Sequence, residues 1–259
     1  MGKRKWLLLI SGIFLVAALV AGCGSVTGKA ANTAAQDTFT YAMSGQYRPF
    51  NYYDSNKQLT GFDVEIGKAL AEKMGMKPEP RAMPWEGLIS ALKAKKFDAI
   101  LGSMTITPER EKEVAFSDPY YISGPELFVR KDSSIKSIKD IKKNTPVGVL
   151  ISSVYDKEAR QYSNNVKNYT SDITALQDLS HGRVDAVITD RFVGRMAAGE
   201  QKLDIKPVGG LIFVERVGIA FRKGDPLREK VNKALAEIKA DGNYRQISEK
   251  YFNTDISKP

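Results

Sequence analysis

Apolar residues recur along residues 37–259 with two spacings, one typical of β-strands and one typical of amphipathic helices. Apolar residues three and four positions apart predict helices that begin near residues 63, 88, 154 and 173. Helices that alternate with strands in this way predict an α/β fold with largely parallel sheets. Buried strands are predicted at residues 39–43, 97–101, 147–151 and 184–188.

Two segments of the chain resemble each other. Residues 91–105 and 176–190 each contain a helix, a basic turn, a strand of the form apolar-Asp-Ala-apolar-apolar, and a polar cluster at the carboxyl end of that strand. The pattern indicates two βα lobes. Because ligands of open α/β sheets bind beyond the carboxyl ends of the strands, the sequence predicts a ligand cleft between the lobes.

The amino terminus has the pattern of an export signal that ends at a cysteine. Lys3, Arg4 and Lys5 precede an apolar run over residues 6–20, which is shorter than the roughly 20 residues of a membrane-spanning helix. Small residues then lead to Cys23, so we expect cleavage before Cys23 and lipid on its side chain. An ordinary cleaved signal with an incidental cysteine is the alternative.

Cys23 is the single cysteine, so no disulfide can stabilise the folded part, which must depend on its core. Residues 24–36 are rich in Gly, Ala, Ser, Thr and Asn and predict a flexible linker. The formal charge of +9 includes the three basic residues of the signal. The remaining basic residues are interspersed with acidic ones, and no basic run with interleaved aromatic residues predicts nucleic-acid binding.

The chain offers little for catalysis. His181 is the only histidine and precedes Gly182 at the end of a predicted helix, where it would favour the negative end of the helix dipole. The sequence contains no metal-binding pair of histidines and no phosphate-binding loop, so we expect no metal and no cofactor. A glycosidase needs only two carboxylates and stays open at this point.

Arg110 is the first candidate for binding a small zwitterion. It lies just inside a short helix that Thr107 and Pro108 begin, and its guanidinium could hold a carboxylate through two hydrogen bonds. The alternative is surface pairing with a nearby acid, namely Glu109, Glu113 or Asp118.

Other candidates follow predicted strands. Ser152 and Ser153 stand at a helix N-terminus, which favours an anion, although Ser153 could simply cap the helix. Asp190 could accept hydrogen bonds from an ammonium group or cap the helix that begins at residue 191. Tyr47 and Trp85 lie in loops, where they could form the walls of a pocket or pack into the core.

Five spaced blocks, over about residues 39–256, resemble the polar amino-acid-binding proteins of bacterial ABC importers (extracellular solute-binding proteins, family 3). The resemblance implies a two-lobed, periplasmic-binding-protein-like (type II) α/β fold with a hinge and an interlobe cleft. Such a fold closes on an L-amino acid and presents it to a membrane permease. The blocks are GQYRPFNYYDSNKQLTGFDVEIGKALAEKMG, SMTITPEREKEVAFSDPYYISG, VGVLISSVYDKEA, GRVDAVITDR and ALAEIKADGNYRQISEKYF.

The resemblance also implies roles for individual residues. Arg110 would bind the α-carboxylate with help from Thr105 and the backbone at Ser153, and Asp190 would bind the α-ammonium with help from Ser103. The full predicted ligand-binding set is Tyr47, Trp85, Ser103, Met104, Thr105, Arg110, Ser152, Ser153 and Asp190.

The ligand side chain would lie between Tyr47 and Trp85. Family members with cationic ligands often carry an acid where this chain has Ser44. The resemblance therefore favours cystine or another polar amino acid without a positively charged side chain.

The predicted organisation places the hinge twice along the chain. The segments are a signal peptide at 1–22, a lipidated cysteine and linker at 23–36, lobe one at 37–120 and 219–259, hinges at 121–125 and 215–218, and lobe two at 126–214. We expect a monomeric lipoprotein on the extracytoplasmic face of the cell membrane, with a free amino acid and an ABC permease as partners.

Two rival functions use the same fold. One is a secreted enzyme of the dehydratase or murein-cleaving type, for which Glu86 is the candidate acid. The other is a sensor that reports the ligand to a membrane kinase.

Overall fold

The computed structural model describes residues 37–258, which form fourteen strands, eight α-helices and two short 3₁₀ helices at Trp85–Gly87 and Ile138–Asp140. The predicted signal, Cys23 and linker lie outside these residues. The strands are β1 (Thr38–Met43), β2 (Gln46–Tyr47), β3 (Asn51–Tyr53), β4 (Leu59–Thr60), β5 (Lys77–Ala82), β6 (Ala99–Thr105), β7 (Ala115–Phe116), β8 (Tyr121–Ser123), β9 (Pro125–Arg130), β10 (Val147–Leu150), β11 (Val166–Tyr169), β12 (Ala186–Asp190), β13 (Ile205–Leu211) and β14 (Glu215–Phe221). The helices are α1 (Phe62–Lys73), α2 (Leu88–Lys93), α3 (Pro108–Glu113), α4 (Val154–Tyr162), α5 (Asp172–Ser180), α6 (Arg191–Gly199), α7 (Leu227–Ala240) and α8 (Asn243–Phe252). None of the helices within 37–258 is long and apolar enough to cross a membrane.

Two mixed sheets form the framework. The first has the order β5-β1-β6-β14-β7, with β8 also paired to β14, and its strands β5, β1 and β6 run parallel. The second has the order β11-β10-β12-β9-β13, with β11, β10 and β12 parallel. In the first sheet β14 runs antiparallel to its neighbours β6, β7 and β8, and in the second sheet β9 runs antiparallel to its neighbours β12 and β13. The α/β class predicted from the alternating pattern is confirmed, and the small antiparallel sheet β2-β3-β4 was not predicted.

The chain passes between the two sheets twice. It leaves the first sheet after β8 through Gly124, and it returns from β13 to β14 through residues 212–214. These passages lie side by side, because the amide of Ile212 donates to the carbonyl of Pro125 at 2.9 Å. A Cβ added at Gly124 would overlap the carbonyl oxygen of Phe213, so this close approach requires glycine. The passages fall near the two predicted hinges, whose boundaries stay a prediction.

Several helix starts have the predicted chemistry. Thr107 accepts a hydrogen bond from the amide of Arg110, and Ser153 accepts one from the amide of Asp156. Ser137 and Asp140 form a capping box at the start of the 3₁₀ helix Ile138–Asp140. Pro226 directly precedes α7, which begins at Leu227.

Two strands lie further along the chain than predicted. The strand expected at 97–101 is β6 (Ala99–Thr105), and the one expected at 184–188 is β12 (Ala186–Asp190). The later start of β6 is partly explained by Asp98. This residue precedes the strand, and its carboxylate accepts hydrogen bonds from the amide and the hydroxyl of Thr40. The shift makes Thr105 and Asp190 the last residues of their strands rather than members of the following loops.

Candidate ligand-binding site

A partly open space lies between elements of the two sheets. We call it the inner cavity; its volume is about 30 Å³, which is smaller than an amino acid, so the lining must move to admit a ligand. The first sheet and its neighbours contribute Ser44, Gln46, Tyr47, Trp85, Gly102, Ser103, Thr105 and Arg110. Elements of the second sheet contribute Leu150, Ser153, Val154, Tyr155, Thr170, Ser171 and Asp172. The lining thus joins residues more than a hundred positions apart in the chain.

Arg110 is the one cationic side chain that the described part of the chain contributes to this lining. Its Nη1 donates to the carbonyl oxygen of Thr105 at 2.9 Å, and its guanidinium carbon lies 5.3 Å from the ring centroid of Trp85. Two of the three acids named as surface partners in the alternative interpretation pair elsewhere: Glu109 binds Lys157 and Glu113 binds Lys93. No carboxylate within residues 37–258 approaches the Arg110 guanidinium within the 4.0 Å of an ion pair. Because burial makes the charge costly, the Arg110 pKa is lowered and an incoming anion would be stabilised there.

Asp172 is the one acidic side chain of the lining within residues 37–258, and sequence reasoning did not select it. It is the first residue of α5 and is 2% exposed, and its Oδ1 accepts a hydrogen bond from the hydroxyl of Thr189 at 2.7 Å. Burial raises its pKa to about 6. A cation placed beside Asp172 would favour the ionised carboxylate.

Asp190 lies outside the lining, buried at the end of β12. Its Oδ1 accepts a hydrogen bond from the amide of Phe192 at 2.7 Å, so it caps α6, as the alternative interpretation of this residue had it. Burial raises the pKa of Asp190 to about 7. The charge of Asp190 still acts on the site. The pKa of the Tyr47 hydroxyl is raised mainly by burial and by the nearby Tyr155, and Asp190 and Asp172 raise it further.

Ser103 belongs to a buried polar network. Its hydroxyl donates to Asp63 Oδ2 at 2.9 Å, and the Tyr120 hydroxyl donates to Asp63 Oδ1 at 2.7 Å. The Ser103 amide donates in turn to the Tyr120 hydroxyl. Ser103 has φ 58°, a left-handed conformation that costs energy for serine and that is typical of binding sites. The network holds the Ser103 backbone against the inner cavity.

The remaining predicted residues separate into two groups. Tyr47 and Trp85 line the inner cavity, and Tyr47 stacks on Phe50 with 5.3 Å between the ring centroids. Ser153 lines it as well, whereas Ser152 lines only a neighbouring groove. Met104 is 1% exposed and packs into a buried cluster of the first sheet, because successive residues of a strand point to opposite faces.

The neighbouring groove, here called the outer groove, is open to solvent and shares Thr105, Arg110, Ser153 and Val154 with the inner cavity. Between the two lies a hydrogen-bonded bridge. The Tyr155 hydroxyl donates to Glu215 Oε2 and the Thr105 hydroxyl donates to Glu215 Oε1, each at 2.9 Å. Sequence reasoning selected neither Tyr155 nor Glu215. Tyr155 is the second residue of a helix and Glu215 is the first residue of a strand, and neither position has a local sequence pattern that predicts a binding role.

The described residues contain no group of three or more metal-binding side chains. The arrangement consists of one buried cation, one buried anion, two aromatic walls and neutral hydroxyl groups. Chemically, this set complements the two opposite charges of a small zwitterion.

Comparison with known proteins agrees with this description. A model of the bacterial extracellular solute-binding proteins, family 3, matches residues 39–254. The L-cystine-binding protein TcyJ of Escherichia coli (strain K12) is 32% identical over 98% of this chain and 97% of its own. The arginine-binding extracellular protein ArtP of Bacillus subtilis (strain 168) is 37% identical over 96% of this chain and 98% of its own. A solved structure of an ancestral arginine-binding protein bound to glutamine is similar with a TM-score of 0.78 and 39% identity, over 84% of this chain and 98% of that one.

Proposed function

The chain belongs to the bacterial extracellular solute-binding proteins, family 3, and we propose that its inner cavity captures a polar L-amino acid for delivery to the permease of an ABC importer. The observation that carries the proposal is the charge balance of the lining. Among residues 37–258, Arg110 and Asp172 are the only ionisable groups in it apart from tyrosine hydroxyls. A free amino acid presents one carboxylate and one ammonium, which match them one for one.

The proposed pose follows from this balance. The α-carboxylate binds Arg110, with the backbone at Ser153 as a further donor, since the Thr105 hydroxyl already donates to Glu215. The α-ammonium lies on the side of Asp172, with the charge of Asp190 behind it near Tyr47. The side chain packs between Tyr47 and Trp85.

The same balance supports an uncharged ligand side chain. Once the two α-groups are bound, no acid of the lining is left for a second cation, and Ser44 presents only a hydroxyl, which donates to Asn51 Oδ1 at 3.0 Å. Aromatic faces alone stabilise a cation by about 0.5 to 2 kcal/mol. We therefore propose a neutral polar amino acid, or cystine, whose second ammonium is accompanied by its own carboxylate so that the distal part has no net charge. The relatives leave this open, since TcyJ is named for cystine and ArtP for arginine.

The export pattern and Cys23 support a lipid-anchored form on the extracytoplasmic face of the membrane, where a permease would meet it. The relatives compared above are named as binding proteins. Glu86, the candidate acid of the enzymatic alternative, is exposed and lies outside the lining of the inner cavity, so it does not favour that alternative.

The test is a thermal-denaturation screen of the purified protein against the twenty L-amino acids and L-cystine. A ligand at a hundred times its dissociation constant adds about 2.7 kcal/mol to the free energy of unfolding. For a chain of this size, this is a rise in Tm of roughly 5 to 10 °C. A shift with cystine or a neutral polar amino acid is the expected result. No shift with any compound would contradict the proposed function.

A further inference from the structure

The bridge of Tyr155, Glu215 and Thr105 connects the two halves of the molecule. Tyr155 belongs to α4, which packs on the second sheet, whereas Thr105 and Glu215 belong to β6 and β14 of the first sheet. Both oxygens of Glu215 are used, one for each hydroxyl. The contact therefore exists only while the two sheets are close together.

The bridge also forms a wall. Tyr155 lines only the inner cavity and Glu215 lines only the outer groove, while Thr105 and Arg110 border both. The carboxylate of Glu215 acts electrostatically on Arg110, and Arg110 in turn donates to the Thr105 carbonyl. The wall thus stands next to the groups that would hold the ligand α-carboxylate.

The fold alone does not require a carboxylate at position 215. Glu215 is 2% exposed and makes no ion pair within 4.0 Å among the described residues, and its two partners are neutral hydroxyls. A buried carboxylate with such partners is costly, and an apolar residue of similar volume would fill the space at lower cost. A role of the Glu215 carboxylate in ligand binding would explain why this free-energy cost is tolerated.

We propose that Tyr155 and Glu215 are positioning residues for ligand capture, which join the two sheets when the cleft closes and fix Thr105, whose carbonyl holds Arg110 in place for the ligand α-carboxylate. The proposal rests on the proposed function above. A ligand bound in the closed cleft gains whatever stabilises that closed state, so loss of the bridge weakens binding without removing a ligand contact.

The experiment compares Tyr155→Phe, Glu215→Gln and the double variant with the wild-type protein. The probes are the twenty L-amino acids and L-cystine, measured by calorimetry and by stopped-flow dissociation. The expected result is that each single variant binds about tenfold more weakly, mainly through faster dissociation, since a hydrogen bond to a charged group is lost. The double variant is expected to lose no more than about threefold beyond either single variant, because both changes break one bridge.

Two control variants match the chemistry at other places. Tyr244→Phe removes a buried hydroxyl that has no hydrogen-bond partner, and Glu126→Gln changes a buried glutamate that pairs with Arg195. Neither is expected to change affinity. If Glu215→Gln does not fold, Tyr155→Phe against Tyr244→Phe decides the question.

The two proposals fail differently. If no probe binds the wild-type protein, the proposed function is wrong and the bridge proposal with it. If a probe binds the wild-type protein but the bridge variants bind it within twofold of wild type, or their losses multiply in the double variant, the bridge proposal alone is overturned.

Discussion

The guanidinium of Arg110 lies over the ring of Trp85, with 5.3 Å between its central carbon and the ring centroid, while its Nη1 donates to the carbonyl of Thr105. These two contacts use one face and one edge of the planar group. The rest of the fork is left for a carboxylate.

We predict that Arg110→Ala lowers the affinity for the cognate amino acid by two to four powers of ten, measured by calorimetry. The reason is that a desolvated carboxylate without its counter-charge costs about 3 to 5 kcal/mol. Arg110→Lys should recover only part of the loss, because lysine keeps the charge but not the bidentate fork. Arg245→Ala, at an exposed pair with Glu249, is the control and should leave affinity unchanged. Near wild-type affinity in Arg110→Ala would show that the carboxylate binds elsewhere.

The second prediction concerns pH. In the empty protein Asp172 has a pKa of about 6 and Asp190 one of about 7, both raised by burial. An ammonium group beside them favours the ionised carboxylates, so binding releases protons and the affinity must rise with pH. We expect the affinity to increase roughly tenfold from pH 5 to pH 7. Asp172→Asn and Asp190→Asn should each weaken binding, Asp172→Asn more strongly because it lines the cavity, and each should flatten the pH profile. An affinity independent of pH in the wild-type protein would contradict the assignment of the ammonium site.

Some of this site follows from the sequence and some does not. Thr105 and Arg110 could be predicted, because the polar end of a strand and the start of a helix are local patterns. Asp172, Tyr155 and Glu215 could not, since each has an unremarkable local role. Their importance arises from contacts such as the one between Thr105 and Glu215, which are 110 positions apart.

Met104 was predicted to bind the ligand, but it does not line the inner cavity. It was included because it lies in the polar cluster that follows the predicted strand. The structure extends β6 to Thr105, and the alternation along that strand sends Met104 into the core while Ser103 and Thr105 line the cavity. The strand ends at Thr105, four residues later than predicted, and the alternation of side chains along this added part decides which of them reach the site.

A third prediction concerns the passages between the sheets. Gly124→Ala places a Cβ against the carbonyl oxygen of Phe213, so the two passages must move apart. We expect a loss of about 1 to 3 kcal/mol in the free energy of unfolding, measured by urea denaturation. Gly199→Ala is the matched control, because a Cβ there meets no atom within 4 Å. Equal stabilities of the two variants would contradict the required close approach at Gly124.

A fourth prediction concerns Cys23, which lies outside the described residues. Cys23→Ala should release the chain from membranes or leave it uncleaved, since the lipid would have no attachment site. Fractionation of cells that express either form provides the measurement. Wild-type chain found in the cytoplasm would contradict both export and lipidation.

The last prediction is that an added negative charge in the inner cavity changes which amino acid the protein prefers. Ser44 lines the cavity with a neutral hydroxyl, and Arg110 and Asp172 are matched by the two α-groups of an amino acid. Ser44→Asp adds a second acid, which a cationic ligand side chain can pair with. We therefore expect arginine or lysine to gain at least about tenfold in affinity relative to neutral ligands, a difference of about 1.4 kcal/mol. Ser44→Asn is the control for size and hydrogen bonding, because it adds no charge and should not favour cations. If the wild-type protein already binds arginine more tightly than cystine and every neutral amino acid, the neutral-ligand proposal is wrong, and Asp172 or Asp190 must pair with the ligand side chain.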